Sequence, residues 1–192
     1  MPHETPTASA RQTELLEAAY EYALAHGLTD MSLRPLAEAI GSSPRVLIFL
    51  FGSKDGLVRA LLARARADEL AFLDRARQPD RPTGLVPAVE QVWAWLAAKE
   101  HRPLLRLWAE AYARSLVEPD GAWTGFARAT VEDWLGALAG CQPPSERDSE
   151  AGAARRTLAL AVLRGALLDL LATDDEKRIT EAVEHQLALL QD

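Results

Sequence analysis

The sequence of 192 residues contains a single cysteine and few of the residues that favour β-strands. Because Cys141 is the single cysteine, the chain can form neither an intramolecular disulfide nor a zinc site built from cysteines. Valine and isoleucine together number 12, against 35 alanines and 31 leucines. Alanine and leucine are strong helix formers, whereas the branched residues favour strands. The composition therefore predicts an all-α protein and argues against a sheet-based fold.

The sequence also lacks a long apolar run and an excess of positive charge. The apolar run at 158–163 ends at Arg164, well short of the ~20 residues that a membrane-spanning helix needs. The first twelve residues are polar and contain no apolar segment typical of a signal peptide. The net charge of −7 argues against a protein attracted to nucleic acid or membrane by its overall charge. We therefore expect a cytoplasmic protein that makes no membrane contact and confines any DNA-binding surface to a small region.

Sequence signatures of catalysis and of metal binding are missing as well. The chain has no glycine-rich phosphate loop and no nucleophile elbow. Its four histidines have no convincing metal-ligand spacing: His3, His26, His101 and His185. We expect no enzyme activity, no metal and no cofactor. An enzyme built on a helical bundle is a separate alternative, which would require titratable side chains that converge inside the body.

Capping residues and helical spacing of apolar residues predict nine helices. Residues 1–8 are expected to form a flexible tail. Ser9 and Gln12 form a predicted capping box for the first helix, which ends before Gly27, and Thr173 and Glu176 form a second box for the last helix, which reaches about Leu190. The other predicted helices cover residues 33–40, 43–50, 54–76, 85–99, 103–117, 123–139 and 151–172.

Two short helices on either side of the Gly41–Ser42 turn have the proportions of a helix-turn-helix. Ser32 and Ser43 are the predicted N-caps of these helices. In such a motif the first residues of the second helix enter the major groove, where Arg45 is the one long side chain able to bind guanine by two hydrogen bonds. The small shared core is expected to contain Leu36, Ala37, Ile40, Leu47 and Phe51.

Residues 11–62 resemble the N-terminal domain of TetR-family transcriptional regulators. The matching segments are HG (26–27), MSL (31–33), LAEAIG (36–41) and FGSKDGL (51–57). The resemblance implies a DNA-binding domain at 9–55 and a ligand-binding and dimerisation domain at 56–192. It also implies a homodimeric repressor that binds a palindromic operator and is released by a small, largely apolar effector. The residues expected to contact DNA are Ser32, Arg34, Ser43, Pro44, Arg45, Val46, Phe49 and Lys54.

The sequence departs from the family pattern within the second helix of the motif. Ile48 and Leu50 stand where the family commonly has tyrosine and histidine, so that with Phe49 three apolar residues follow one another, and at least one should be exposed. The formal net charge of residues 1–55 is −3, whereas that of residues 30–66 is +3. One alternative is a helical ligand-binding or protein-interaction module that has lost DNA binding. Another is that the apolar segment forms a partly buried corner against the second domain.

The second half of the chain carries an aromatic group and a strongly apolar helix. In the family, the corresponding helices enclose an effector pocket; the alternative is that these residues are ordinary core. The candidate pocket residues are Trp93, Leu104, Trp108, Tyr112, Trp123, Phe126, Trp134 and Arg164.

The helix at 157–172 is apolar on more than one face, which indicates burial on both sides. With the last helix it is expected to form a four-helix dimer interface; the alternative is a central helix in a monomeric bundle. The candidate interface residues are Leu163, Leu167, Leu170, Leu171, Ile179, Val183, Leu187 and Leu190.

Overall fold

All regular structure in the described part of the chain is helical. The computed structural model describes residues 8–76, 84–118 and 120–189. These residues form ten α-helices and one 3₁₀ turn, Lys99–His101, and confirm the all-α prediction. The α-helices are α1 (Ala8–His26), α2 (Leu33–Ala39), α3 (Pro44–Phe51), α4 (Lys54–Ala76), α5 (Leu85–Ala97), α6 (Arg102–Val117), α7 (Phe126–Cys141), α8 (Pro144–Arg147), α9 (Glu150–Thr173) and α10 (Glu176–Leu189).

The boundaries differ from the prediction in the second half of the chain. The helix predicted from Trp123 begins at Phe126 and continues past Gly140 to Cys141. The polar stretch at 141–150, predicted as a loop, contains the one-turn helix α8. The predicted tail at 1–8 lies outside the described residues except for Ala8, which starts α1. No helix in the described ranges is both long and apolar enough to cross a membrane.

Two glycines end helices in the left-handed conformation that their positions require. Gly27 follows α1 with φ of +78° and donates its N–H to the carbonyl of Ala23 at 2.8 Å. Gly41 lies in the turn between α2 and α3 with φ of +64°. A side chain would strain the backbone at either position. The prediction of these two turns is confirmed.

The helix caps are a mixture of confirmed and wrong predictions. Ser43 accepts a hydrogen bond from Val46 N at 3.3 Å, and Pro44 occupies the first position of α3 as predicted. Ser32 precedes α2 but makes no side-chain cap bond. The predicted Thr173 cap is wrong, because Thr173 ends α9 and the Asp175 carboxylate instead accepts from Arg178 N at 3.2 Å.

The chain divides into two compact units that each combine separate stretches of sequence. The first contains the residues up to Ala67 and Arg106–Ala127; the second contains Asp68–Leu105 and the residues from Arg128 onward. The sequence predicts a domain boundary between residues 55 and 56. In the structure, most of α6 belongs to the same compact unit as α1, α2 and α3. Both α4 and α6 contribute residues to each unit.

In the first unit, α2 and α3 pack through a small apolar core. Leu36, Ala37 and Leu47 are buried as predicted, while Ile40 and Phe51 are half-buried. The predicted capping box of Ser9 and Gln12 is wrong, because α1 begins at Ala8 and Ser9 therefore lies inside the helix. The Gln12 amide nitrogen donates to the carbonyl of Leu50 at 2.9 Å. This bond ties α1 to the last turn of α3.

In the second unit, α9 packs against both α5 and α10. The Trp93 indole donates to the Thr180 hydroxyl at 3.0 Å and links α5 to α10. The inward faces of α9 and α10 consist of buried aliphatic residues: Ala159, Leu160, Leu163, Leu167, Leu170, Ile179, Val183 and Leu187.

Candidate functional site

The exposed face of α3 is the first candidate site. Leu47 is buried against α2, which turns the opposite side of this short helix to solvent. Phe49 is 81% exposed, and Val46 and Ile48 are each 38% exposed. Pro44 and Arg45 are also exposed. The prediction that at least one of the three consecutive apolar residues is exposed is confirmed, and the alternative of a buried corner is contradicted at Phe49.

Four of the residues predicted to contact DNA lie at the starts of helices. Ser32 and Arg34 lie at the start of α2, Ser43 at the start of α3, and Lys54 at the start of α4. The side chains of Ser32, Arg34 and Lys54 are exposed, whereas Ser43 is half-buried and occupied as a cap. Backbone N–H groups at helix starts attract anions. The structure therefore places all four residues at helix ends suited to a phosphate backbone.

The positive surplus of this region is smaller than the sequence count indicates. Arg64, one of the six positive residues between 30 and 66, donates from Nε to both carboxylate oxygens of Glu17, at 2.8 and 3.0 Å. Its guanidinium also lies 4.8 Å from the centre of the Tyr20 ring. Glu17 lies outside residues 30–66, so the net charge of +3 for that segment does not include the carboxylate that neutralises Arg64. Arg64 thus stabilises the packing of α4 on α1.

The structure separates the predicted pocket residues into two groups. Trp108, Tyr112, Trp123 and Phe126 belong to the first unit. The Trp108 and Tyr112 rings lie 4.9 Å apart, and Trp108 Nε1 is buried without a hydrogen-bond partner. A buried donor with no acceptor is costly, so this indole N–H is a candidate contact for an acceptor atom of a ligand.

The other predicted pocket residues belong to the second unit: Trp93, Leu104, Trp134 and Arg164. Trp134 is buried and its indole donates to the buried carboxylate of Glu69. Leu104 and Arg164 are half-buried. The hydrogen bonds of Trp93 and Trp134 are thus used within the protein, which favours a packing role for these two side chains.

Sequence reasoning missed a row of stacked rings in the second unit. Phe72 stacks on Trp95 with ring centres 4.4 Å apart, and Trp95 stacks on His101 at 4.3 Å. The His101 ring nitrogen Nδ1 lies 2.8 Å from the carbonyl of Trp95. Phe72 lies on α4 and the other two belong to α5 and the 3₁₀ turn, so no local spacing connects them.

The Glu69–Trp134 hydrogen bond leads to a stability prediction. Glu69→Ala is expected to lower the free energy of unfolding by about 1–3 kcal/mol, because the buried indole N–H of Trp134 loses its acceptor. Urea denaturation measures this difference. Glu132→Ala is the control, because it removes an exposed carboxylate of α7 that lies 3.6 Å from Arg128. Equal stability losses in the two variants would contradict the role given to Glu69.

Most of the predicted dimer-interface residues are buried within one chain. Leu163, Leu167, Leu170, Ile179, Val183 and Leu187 form the packing of α9 and α10, and Leu171 is half-buried. Leu190 lies outside the described residues. Because these side chains are buried between helices of one chain, they have little surface left to contact a second subunit.

A different row of α9 residues is exposed. Its members are small or apolar and follow one another at intervals of three and four residues: Leu158, Ala161, Gly165, Leu168 and Ala172. Leu168 is 51% exposed and Leu158 is 48% exposed. Such spacing is typical of helices that pair along a seam. We call this row the α9 stripe.

The sequence of the first unit matches a known family. Residues 15–61, which include α2, α3 and most of α1, match the profile described as "Bacterial regulatory proteins, tetR family". This match confirms the resemblance of the N-terminal segment to TetR-family regulators.

Solved structures of TetR-family proteins share the fold over nearly the whole chain. A TetR transcription regulator from Haloarcula marismortui has a TM-score of 0.71 and 19% identity, covering 92% of this chain and 94% of that one. A TetR-like transcriptional regulator from Rhodococcus sp. RHA1 has a TM-score of 0.63 and 21% identity, covering 97% of this chain and 96% of that one. The multidrug binding protein EbrR, crystallised with imidazole, has a TM-score of 0.67 and 23% identity, covering 96% of each chain. Comparison with curated proteins found no match.

The matched segment includes α2 and α3, the two helices of the predicted helix-turn-helix. Within the described ranges, no group of three or more histidine, cysteine, aspartate or glutamate side chains is arranged to hold a metal ion. Two surfaces of the described residues combine exposure with apolar side chains: the exposed face of α3 and the α9 stripe.

Proposed function

We propose that this protein is a cytoplasmic, homodimeric repressor of the TetR family that binds a palindromic operator and is released by a small, largely apolar effector. The observation that carries the proposal is the exposed face of α3, where Arg45, Val46 and Phe49 project while Leu47 is buried beneath them. A recognition helix requires this separation between an anchored side and an exposed side.

The residues of α3 support base recognition of two kinds. The Arg45 guanidinium suits the two acceptors that guanine presents in the major groove. Pro44, Val46 and Phe49 offer apolar surface suited to thymine methyl groups. Ser32, Arg34, Ser43 and Lys54 suit the phosphate backbone, which fixes the position of the helix without reading sequence. With Arg64 paired to Glu17, we expect modest affinity with a moderate dependence on salt.

The α9 stripe supports a homodimer. Ala161, Gly165 and Ala172 of the stripe allow two helices to approach closely, and Leu158 and Leu168 supply apolar surface. On α10 the exposed residues Ala182, His185 and Leu189 have the same spacing. A dimer places two recognition helices on successive major grooves when their separation is about 34–36 Å.

The aromatic residues of the first unit support a flat effector with a hydrogen-bond acceptor. Trp108 offers a buried ring and an unpaired N–H beside Tyr112. EbrR was crystallised with imidazole and with proflavin, both flat aromatic molecules. The effector must prefer the arrangement that does not bind DNA, because a ligand shifts an equilibrium only by its difference in affinity. Saturating proflavin is expected to lower operator affinity; bound proflavin without such a change would contradict this coupling.

A second function is favoured by the same surface. Val46, Ile48 and Phe49 form an exposed apolar group in a segment that carries few positive charges. Such a group is also suited to a protein partner. The second candidate is therefore a helical ligand-binding or interaction module that has lost DNA binding.

Selection from random DNA duplexes at two salt concentrations distinguishes these functions. For the proposed repressor, we expect the wild-type dimer to enrich a palindrome with half-sites about one helical turn apart, less strongly at the higher salt concentration. Arg45→Glu, which reverses one exposed charge, should enrich no sequence. Wild-type protein without enrichment at either salt concentration would favour the interaction module, provided that native mass spectrometry shows no copurified ligand. Enrichment of the same palindrome by both proteins would exclude α3 as the reading helix.

A further inference from the structure

The carboxylate of Glu110 binds a loop that is distant in sequence. Leu28 N lies 3.1 Å from Glu110 Oε1 and 3.0 Å from Oε2, so that it donates to both oxygens. The Thr29 hydroxyl donates to Oε1 of the same carboxylate. Leu28 and Thr29 lie in the short loop that joins α1 to α2. One side chain of α6 thus determines the path of the backbone that enters the helix-turn-helix.

The loop is shaped to receive this carboxylate. At Gly27, which has φ of +78°, a Cβ atom would lie 3.0 Å from Glu110 Oε2. Glycine is therefore favoured at this position for two reasons: it adopts the left-handed backbone conformation without strain, and it leaves space for the Glu110 carboxylate. Leu28 and Met31 are buried on either side of the loop. Hydrogen bonds to a charged acceptor are stronger than neutral ones, so these contacts hold the loop firmly.

The helix that carries Glu110 is itself fixed at both ends. Leu107 and Ala111, which flank Glu110 on α6, are buried in the first unit. The first residues of α6, Arg102–Leu105, belong to the second unit. There the Arg102 guanidinium donates to the carbonyl of Leu170, near the end of α9, at 3.3 Å. A single helix therefore carries one contact to the end of α9 and another to the start of the helix-turn-helix.

We propose that Glu110 is a positioning residue that fixes α2 and α3 to α6 and so sets the separation of the two recognition helices. The inference rests on the proposed function as a dimeric DNA-binding regulator. Without the Glu110 carboxylate, the helix-turn-helix can still fold and contact a half-site, but it can adopt more than one position relative to α6.

Operators with altered half-site spacing test this role directly. One base pair changes the distance between half-sites by about 3.4 Å and also rotates one half-site about the DNA axis. Wild-type protein is expected to prefer one spacing strongly over spacings one or two base pairs longer or shorter. Glu110→Ala should lose about 10-fold in affinity at the preferred spacing and much less at the others, so that its affinity profile becomes flatter. Fluorescence anisotropy with labelled duplexes measures each affinity.

Two further variants make the test specific. Glu118→Ala removes the carboxylate that directly follows α6 and pairs with Arg114 of that helix, and it should keep the wild-type profile. Thr29→Val removes only the hydroxyl donor and should flatten the profile partly; it decides the question if Glu110→Ala does not fold. Equal loss at every spacing, or an unchanged profile in the folded variants, would overturn the proposal. If the wild type itself binds no operator, the proposed function fails instead.

Discussion

Leu168→Arg is expected to separate the proposed homodimer into monomers and to lower operator affinity by about 10²-fold or more, because the two half-sites are then no longer bound by one linked molecule. Leu168 is the fourth of the five residues of the α9 stripe and is 51% exposed in one chain. A charged side chain there opposes the close pairing of two stripes but has little effect on the fold of one chain. Light scattering after gel filtration and anisotropy with labelled operator measure the two effects.

Two matched variants separate this result from general damage. Leu116→Arg introduces the same charge at another exposed leucine, which is 66% exposed on α6 and lies outside the stripe; it should remain a dimer. Leu170→Ala alters a completely buried residue of α9 and should instead reduce the stability of each chain by about 2–5 kcal/mol. A dimeric Leu168→Arg protein with unchanged operator affinity would exclude the α9 stripe as the interface.

Arg45→Ala is expected to cost about 1–3 kcal/mol of binding free energy, or roughly 5- to 150-fold in affinity, at the preferred operator. The reason is the loss of two hydrogen bonds to one guanine, so the preference for that base pair should relax while the other positions keep theirs. Anisotropy titrations against operators that carry each single base-pair change measure this pattern.

Lys54→Ala is the matched control for Arg45→Ala. Lys54 is exposed at the first residue of α4, where a contact to phosphate would weaken binding to all sequences alike. Its loss should lower the slope of log affinity against log salt concentration by about 1 and leave base preference unchanged. Uniform weakening by Arg45→Ala across all operators would show that Arg45 contacts the backbone rather than a base.

The helix-turn-helix was predictable because its signals are local. Pro44 and Ser43 specify the start of α3, Gly41 specifies the turn, and Leu47 has the spacing of a buried residue. Each of these effects acts over one helical turn. The prediction of α2 and α3 therefore agrees with the structure to within one residue at most ends.

The partners of polar side chains were not predictable from local patterns. Gln12 and Thr173 both fit capping-box patterns, yet Gln12 binds Leu50 and the cap of α10 is Asp175. Glu110 binds a residue 82 positions away. Such pairs depend on how helices that are distant in sequence pack, and helical spacing carries no information about that.

Which side of α9 is exposed was also not predictable from the sequence. Leucine occurs around most of this helix, so no apolar face stands out from the spacing alone. Leu163, Leu167 and Leu170 were natural candidates for an interface, but α5 and α10 cover them within the chain. The exposed row differs chiefly in its small residues, Ala161, Gly165 and Ala172, which contribute little to an apolar pattern.

The most direct test of the central claim is an equilibrium titration of the selected operator against a scrambled duplex of equal length, at two salt concentrations. The account predicts that the operator is bound at least about 10³-fold more tightly than the scrambled duplex. It also predicts that both affinities fall as the salt concentration rises. Equal affinity for the two duplexes would contradict sequence recognition by α3, and no measurable affinity for either would favour the protein-interaction module.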